Sequence, residues 1–522
     1  MNIAVRRSIR FLKQFRYQSI RPHYISGILL KIPFLISHSF CQTTKFSTST
    51  YFPQLPRRAT KMLIHNLTVE TPVNRSMHEL DRDFFKVEIS LLGLQVKNPK
   101  DMAKFRAKYE NELLQLRDQS NIVKIKDGQM TTVVVILNPK AAKAAAGTDV
   151  TTLSGISDEF REFLLQDREN FKVVEYTLVL DYDYWKAEQI LSSILPTELL
   201  DEVPVGFTLT GHIAHMNLRS QYLPYKNIIG QVILDKNASV RTVVNKLDTI
   251  DSVFRTFDME VIAGDKDLEV EQRQMNCRFK FDFSKVYWNT RLEHEHRRII
   301  EQFQPGEVVC DVMAGVGPFA IPAGKNKVIV LANDLNEACY NSMVENIKLN
   351  KVDTVFPYNL DGRDFIRRSR LQLAKLQAGQ KTIRIQKRAH GKKSQELQIP
   401  LKISRYVMNL PHAAIEFLDA FRGLMNENFN DLDSSDIALS LRKMSTDLPI
   451  VHVYGFHKFE HGESKPTEQQ VHEDIQKRIA KALDFDIPLS ALDFHNVRHV
   501  SPTKDMYCVT FQLPAQVAYA KN

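Results

Sequence analysis

Residues 310–324 read CDVMAGVGPFAIPAG, with Gly315 and Gly317 one residue apart directly behind the apolar run Val308–Val309–Cys310. A glycine turn between a strand and a helix brings a nucleotide close to backbone N–H groups. Gly315, Gly317 and Ala320 fit G-x-G-x-x-A, a dinucleotide pattern that is weak by itself. The acid in front of it separates the ligands. A pyrophosphate wants a helix N-terminus free of nearby anions, whereas Asp311 directs a carboxylate into the loop from the end of the strand. S-adenosyl-L-methionine has no phosphate and carries a cationic sulfonium and amino group. Asp311 therefore favours the sulfonium ligand over a nicotinamide dinucleotide.

Outward from this loop, the chain from about Val286 alternates strand and helix. Strands are expected at Val308–Val312, Val328–Ala332, Val355–Asn359, Arg405–Asn409 and Ile450–Tyr454, and helices at Pro318–Ala323, Glu337–Leu349, Ala413–Met425 and Glu468–Leu483. Repeated units of this size predict a parallel doubly wound sheet with its ligand at the carboxyl ends of the strands. Two final strands, Phe494–Val500 and Met506–Leu513, close the chain as a hairpin. Rossmann-like methyltransferases end in that way.

The strand ends carry the candidate chemistry. Asp334, 23 residues after Asp311 and assigned with Leu335 to the same ligand, can accept both ribose hydroxyls. That placement supports an adenosine without choosing between the two cofactors. Asp361 and Gly362, in NLDGRDF (359–365), suit the adenine edge. Each acid alone would also serve as a helix N-cap; three in sequence order favour a pocket. The fourth strand ends in MNLPH (408–412), where Asn409 can address a planar base edge and Pro411 stiffens the turn. An Asn-x-Pro at this place marks methylation of an sp² nitrogen of a base, with an N-cap for the next helix as the plainer use.

The rest of the chain bounds these readings. Its formal charge of +9 arises mostly in residues 1–61, which hold 11 Lys and Arg and no acid, leaving 59 basic against 61 acidic residues beyond. An Arg- and Ser-rich, acid-free tail reads as a mitochondrial transit peptide, or else a disordered basic arm. Its apolar pieces are too short to span a bilayer, which needs about 20 residues. Translation from Met62 would give the same body without the tail, so dual placement is expected: the mitochondrial matrix plus a cytoplasmic or nuclear pool. Five scattered cysteines without a C-x-x-C pair indicate neither a disulfide framework nor a zinc site.

Residues 62–202 mix an amphipathic segment (Lys100–Asp118) with strands such as Thr131–Leu137, and a small-residue patch at 140–147 reads as a flexible connection. Residues 203–285, with FTLTGHIAHMNL, IIGQVIL, MEVIAGD and CRFKFDF, read as a strand-rich α+β module. The last part, 286–522, carries an insertion near 366–398; Arg363–Lys393 holds 11 basic residues against Asp364 alone. It leaves from the strand ends beside the proposed site, as a solvated linker or as a salt-sensitive phosphate contact.

DVMAGVGPF, NDLNEACYNSMVENIKLN, NLDGRDF and MNLPH, preceded by DFSKVYWNTRLEHEHRRI (282–299) and GHIAHMNLR (211–219), resemble the eukaryotic and archaeal tRNA (guanine37-N1)-methyltransferases over roughly 205–365 and 400–515. The resemblance implies an α/β Rossmann-like class I methyltransferase domain, a small α+β middle domain and an N-terminal domain that checks the tRNA outer corner. It implies methyl transfer from S-adenosyl-L-methionine to N1 of guanosine 37, beside the anticodon, in support of reading-frame maintenance. A monomer is expected.

Guanine N1 is protonated at neutral pH and needs a base before it can attack. The resemblance puts that base at Glu295, and Arg255 is aligned with stabilising the charge that develops on O6. Arg291, one turn before Glu295, would hold the loop or a phosphate; without the family, the two would be an ordinary i,i+4 surface pair. His296 stands where archaeal members tend to have Arg, and is assigned to the cofactor. His294 and His296 do not share a helix face, so a metal is rejected. Competing readings are the aminocarboxypropyltransferase of wybutosine synthesis, an NAD-dependent oxidoreductase and a non-catalytic tRNA-binding protein.

Overall fold

The computed structural model describes residues 66–100, 102–127, 130–143, 148–247, 258–385, 395–426, 436–459 and 465–521. The basic tail with Met62, residues 144–147 of the small-residue patch, Arg255, and 386–393 of the insertion lie outside the described residues.

Seven strands form the sheet that carries the glycine loop: β1 (Val308–Asp311), β2 (Ile329–Asn333), β3 (Val355–Tyr358), β4 (Arg405–Met408), β5 (Ile450–Lys458), β6 (Asp493–Ser501) and β7 (Lys504–Gln512). Their order is β3-β2-β1-β4-β5-β7-β6. The first five are parallel, and β7 enters antiparallel between β5 and β6. The strand order reverses beside β1, so the loops after β1 and β4 flank a crevice at the carboxyl edge.

Successive strand residues point to opposite faces, and each face buries its own core. Val308, Cys310, Tyr406, Met408, Val451 and Val453 lie on one side, against helices at Gly362–Gly379 and Glu468–Leu483. Val309, Val330, Val407 and Tyr454 lie on the other. There they meet α1 (Glu293–Ile300), α2 (Ala320–Lys325) and α3 (Glu337–Asn350). The hairpin of Glu269–Gln274 and Cys277–Asp282 docks on α3, where Asn346 and Asn350 accept its Lys280 and Arg278 N–H groups at 2.7 and 2.9 Å.

N-terminal to these, two four-stranded sheets share one core, in which Leu178, Trp185 and Ile194 meet Ala214, Met216 and Val243. IIGQVIL, expected among strands, lies in a helix, Lys226–Lys236. Its buried Ile228, Ile229, Val232 and Ile233 follow the helical period, and a Cβ on Gly230 would come within 2.9 Å of Ile262. Lys100–Asp118 is helical only over Met102–Lys108 and Glu110–Glu112. Ala413–Met425 is 3-10 over Ala414–Phe421.

The insertion also differs from expectation. Most of its described basic run lies on Gly362–Gly379, the crossover helix after β3, here α4, where Arg363 forks onto Asp419. The hairpin that follows, Thr382–Ile385 with Gln395–Gln398, lies at the opposite edge of the sheet. Its Leu397 is 3.7 Å from where a Cβ of Gly306, just before β1, would stand. An 18-residue helix rises about 27 Å, which carries the chain away from the strand ends it left. No helix of the described residues is long and apolar enough to cross a membrane.

Candidate active site

The crevice is a cavity of about 150 Å³ between α1, the loops after β1 and β4, and the closing hairpin. Of the residues expected to hold the donor or the base, His296, Gly315, Asn409 and Pro411 line it. Trp288 and Phe319, from the segments 282–299 and 311–319, and Arg498, from the closing hairpin, line it as well.

Asp311 ends β1 and is 1% exposed, and neither of its carboxylate oxygens has a hydrogen-bond partner. Burial pushes its pKa well above the usual carboxylate range, and the nearby Asp334 adds to the rise. A buried acceptor pair left without donors is costly. A cationic group placed against it would relieve that cost, which fits the sulfonium or ammonium of the methyl donor. Gly315, at φ +55°, has nothing within 4 Å of a built Cβ, so the loop leaves space over the crevice. Gly317, at φ +96°, serves packing: a Cβ there would reach 2.8 Å from Ile321.

Asp334 is half-buried and holds the loop itself, accepting N–H of Gly315 at 2.8 Å and of Asn336 at 2.9 Å. Burial raises its pKa against those two donors. Leu335 beside it is 49% exposed, an apolar face at the strand end. Asp361 caps α4, accepting N–H of Arg363 and Asp364, so the plainer N-cap role holds for it. A Cβ on Gly362 would press on Phe417 at 3.0 Å. The three strand ends are tied by Asn333, unnoticed in the sequence, whose side chain bonds Val312 O and both polar backbone groups of Leu360.

The inward stripe of α1 is Glu295, His296, Ile299 and Ile300, continued by Leu292 just before the helix, all buried. Glu295 is therefore no surface residue. Arg298 donates Nε to its Oε2 at 2.7 Å and Nη2 to its Oε1 at 2.8 Å, and the Tyr454 hydroxyl donates to Oε1 at 2.7 Å. His495 Nε2 stands 3.4 Å from Oε2. Burial opposes the charge on Arg298, but its bonds to Glu295 prevail and raise its pKa. Burial, with Cys508 and Glu295 beside it, raises the Tyr454 phenol well above its usual range, so it stays a donor.

The plainer alternative, an i,i+4 surface pair of Arg291 with Glu295, does not form: Arg291 is exposed, in the 3-10 turn Thr290–Leu292 ahead of α1, and Arg298 takes the carboxylate. The surface pair is Glu293 with Arg297. His296 is neutral, its pKa lowered to about 3 by burial, with its ring edge-on to Phe319 and both nitrogens unpartnered. Asn409 Oδ1 and Trp288 Nε1 are likewise buried without partners. Together they offer an acceptor and donors toward a planar polar ligand.

A family model of the TYW2 N-terminal domain matches residues 187–267, and one of the TRM5/TYW2 methyltransferase domain matches 270–383. The tRNA (guanine(37)-N(1))-methyltransferase of Saccharomyces cerevisiae is 44% identical over 485 residues, covering 85% of this chain and 94% of that protein. The enzyme of the same description from Schizosaccharomyces pombe is 45% identical over 469 residues, covering 88% and 98%. The solved complex of aTrm5 and tRNALeu has a similar fold, at TM-score 0.51 and 17% identity, over 81% of this chain and all of that one.

Proposed function

Because the chain belongs to the tRNA (guanine(37)-N(1))-methyltransferase family, we propose how its own residues carry that family's reaction. The chain methylates N1 of guanosine 37 in tRNA. Bound S-adenosyl-L-methionine supplies an electrophilic methyl group on a positively charged sulfur.

Asp311 meets the positive charge of the donor, and Gly315 leaves room for it above the loop. Asn409 and Trp288 orient the guanine by its polar edge. Glu295 takes the N1 proton, and charge moves onto O6, where Arg255 is assigned. Arg298 and Tyr454 hold the glutamate in one position before the base arrives, so little reorganisation is left for the reactive step. His296 stays neutral beside the donor and adds no competing positive charge. The N-terminal sheets are assigned to the tRNA outer corner, and the protein to a monomer.

The buried Glu295 carboxylate, fixed by a guanidinium fork and a phenol, is the observation that carries this reading. Incubation of a G37 tRNA transcript with the protein and labelled donor, followed by nucleoside analysis, tests it. A product of guanosine plus one methyl group is expected; an aminocarboxypropyl adduct would shift the assignment to the sister enzyme of wybutosine synthesis.

A further inference from the structure

One row of the sheet delivers two side chains to Glu295. Tyr454 on β5 pairs with Cys508 on β7, and Cys508 pairs with His495 on β6, so the three stand abreast on one face. Glu295 of α1 lies against that row, bonded to Tyr454 at one end and facing His495 at the other. A slip of β6 by one residue would turn His495 to the opposite face. In the observed register its Nε2 stands 3.4 Å from Oε2.

The two carboxylate oxygens differ. Oε1 accepts from Arg298 Nη2 at 2.8 Å and from the Tyr454 hydroxyl at 2.7 Å. Oε2 accepts from Arg298 Nε at 2.7 Å and has His495 as its second neighbour, so Oε2 is the oxygen with room for a proton. The Glu295 side chain is 4% exposed and that of His495 43%. The histidine thus joins a buried carboxylate to water.

The other three groups around the carboxylate cannot carry a proton away. Arg298 stays a cation and Tyr454 a phenol, and burial, with the charge of Glu295 beside it, pushes the Cys508 thiol up to about 12. An imidazole is the side chain that takes up and releases a proton near neutral pH.

Resting on the reading of Glu295 as the base, we infer that His495 relays the guanine N1 proton from Oε2 to solvent and so resets Glu295 for the next turnover. The N1–H bond breaks with its electron pair left on guanine, and the proton forms an O–H bond at Oε2. That bond then breaks toward the lone pair of Nε2, the carboxylate regains its charge, and the imidazolium gives up one proton to water. Contacts of this kind are often long before substrate closes on them.

The test uses full-length His495→Ala and His495→Gln. Rapid-quench methylation of excess G37 transcript separates the first turnover from those that follow, and tRNA and donor affinities are measured alongside. In both variants the first turnover should stay within about twofold of the parent and the affinities should be unchanged, while later turnovers slow about tenfold or more. Added imidazole at constant pH should restore the later turnovers of His495→Ala, which has space for it, and not those of His495→Gln; potassium chloride at the same ionic strength should restore neither. Later turnovers at the parent rate, or a loss that imidazole leaves unchanged, would overturn the relay and leave Glu295 standing as the base. A slower first turnover with weakened tRNA or donor affinity would make His495 a binding contact and overturn it too. Glu295→Gln, run beside them, should lose the first turnover itself; methylation at the parent rate would remove the premise and the relay with it.

Discussion

Tyr454, on the fifth strand, donates its hydroxyl to Glu295, 159 residues earlier on α1, at 2.7 Å. The bond joins the helix before the sheet to the strand beside the closing hairpin. A hydrogen bond to a charged group contributes about 1.5–3 kcal/mol. Tyr454→Phe is therefore expected to lower kcat about tenfold or more, with KM for tRNA and donor unchanged. Steady-state kinetics check this; a rise in KM at constant kcat would assign Tyr454 to binding.

Asp311 is expected to trade stability for donor binding. Its folded pKa is raised, so its contribution to stability is fully present below the unfolded pKa of about 3.9 and is lost as pH rises through the folded value. Asp311→Asn should make the donor-free protein more resistant to urea at pH 7, with the difference shrinking toward pH 4. The same variant should bind S-adenosyl-L-methionine more than tenfold more weakly by calorimetry. Equal donor affinity would remove Asp311 from the site.

The two loop glycines should fail differently. Gly317→Ala places a methyl group against Ile321 at a positive φ and should cost about 1–3 kcal/mol in denaturant unfolding. Gly315→Ala meets no protein atom, so its larger effect should be on donor KM. The reverse pattern would contradict the placement of the donor over Gly315.

Placement in the cell is expected to follow the start codon. With the acid-free basic tail as a mitochondrial address, Met62→Ala should abolish the extramitochondrial pool seen by imaging. An unchanged pool would exclude that start.

The sheet was legible because its strands are short apolar runs separated by helices, and each expected strand lies within two residues of its place except β5. β5 runs four residues further, to Lys458, because β7 pairs along its whole length. The buried side of α1 is legible in the helical spacing 292, 295, 296, 299, 300, even though that stripe includes the charge of Glu295. Arg298 as its partner was less so: spacing permits a partner on either side of the glutamate, and tertiary packing turns Arg291 outward. Tyr454, His495 and Asn333 reach the site only through strand pairing and could not be read locally. The path of the charge run after Asp361 is not legible, because net charge does not say where a helix delivers it.

The central claim is that Glu295 accepts the guanine proton, and single-turnover methylation of a G37 transcript by Glu295→Gln tests it most directly. Removing a general base costs about 10²- to 10⁴-fold. The account predicts a loss of that size with tRNA and donor affinities within about twofold of the parent. Methylation at the parent rate by Glu295→Gln would contradict it.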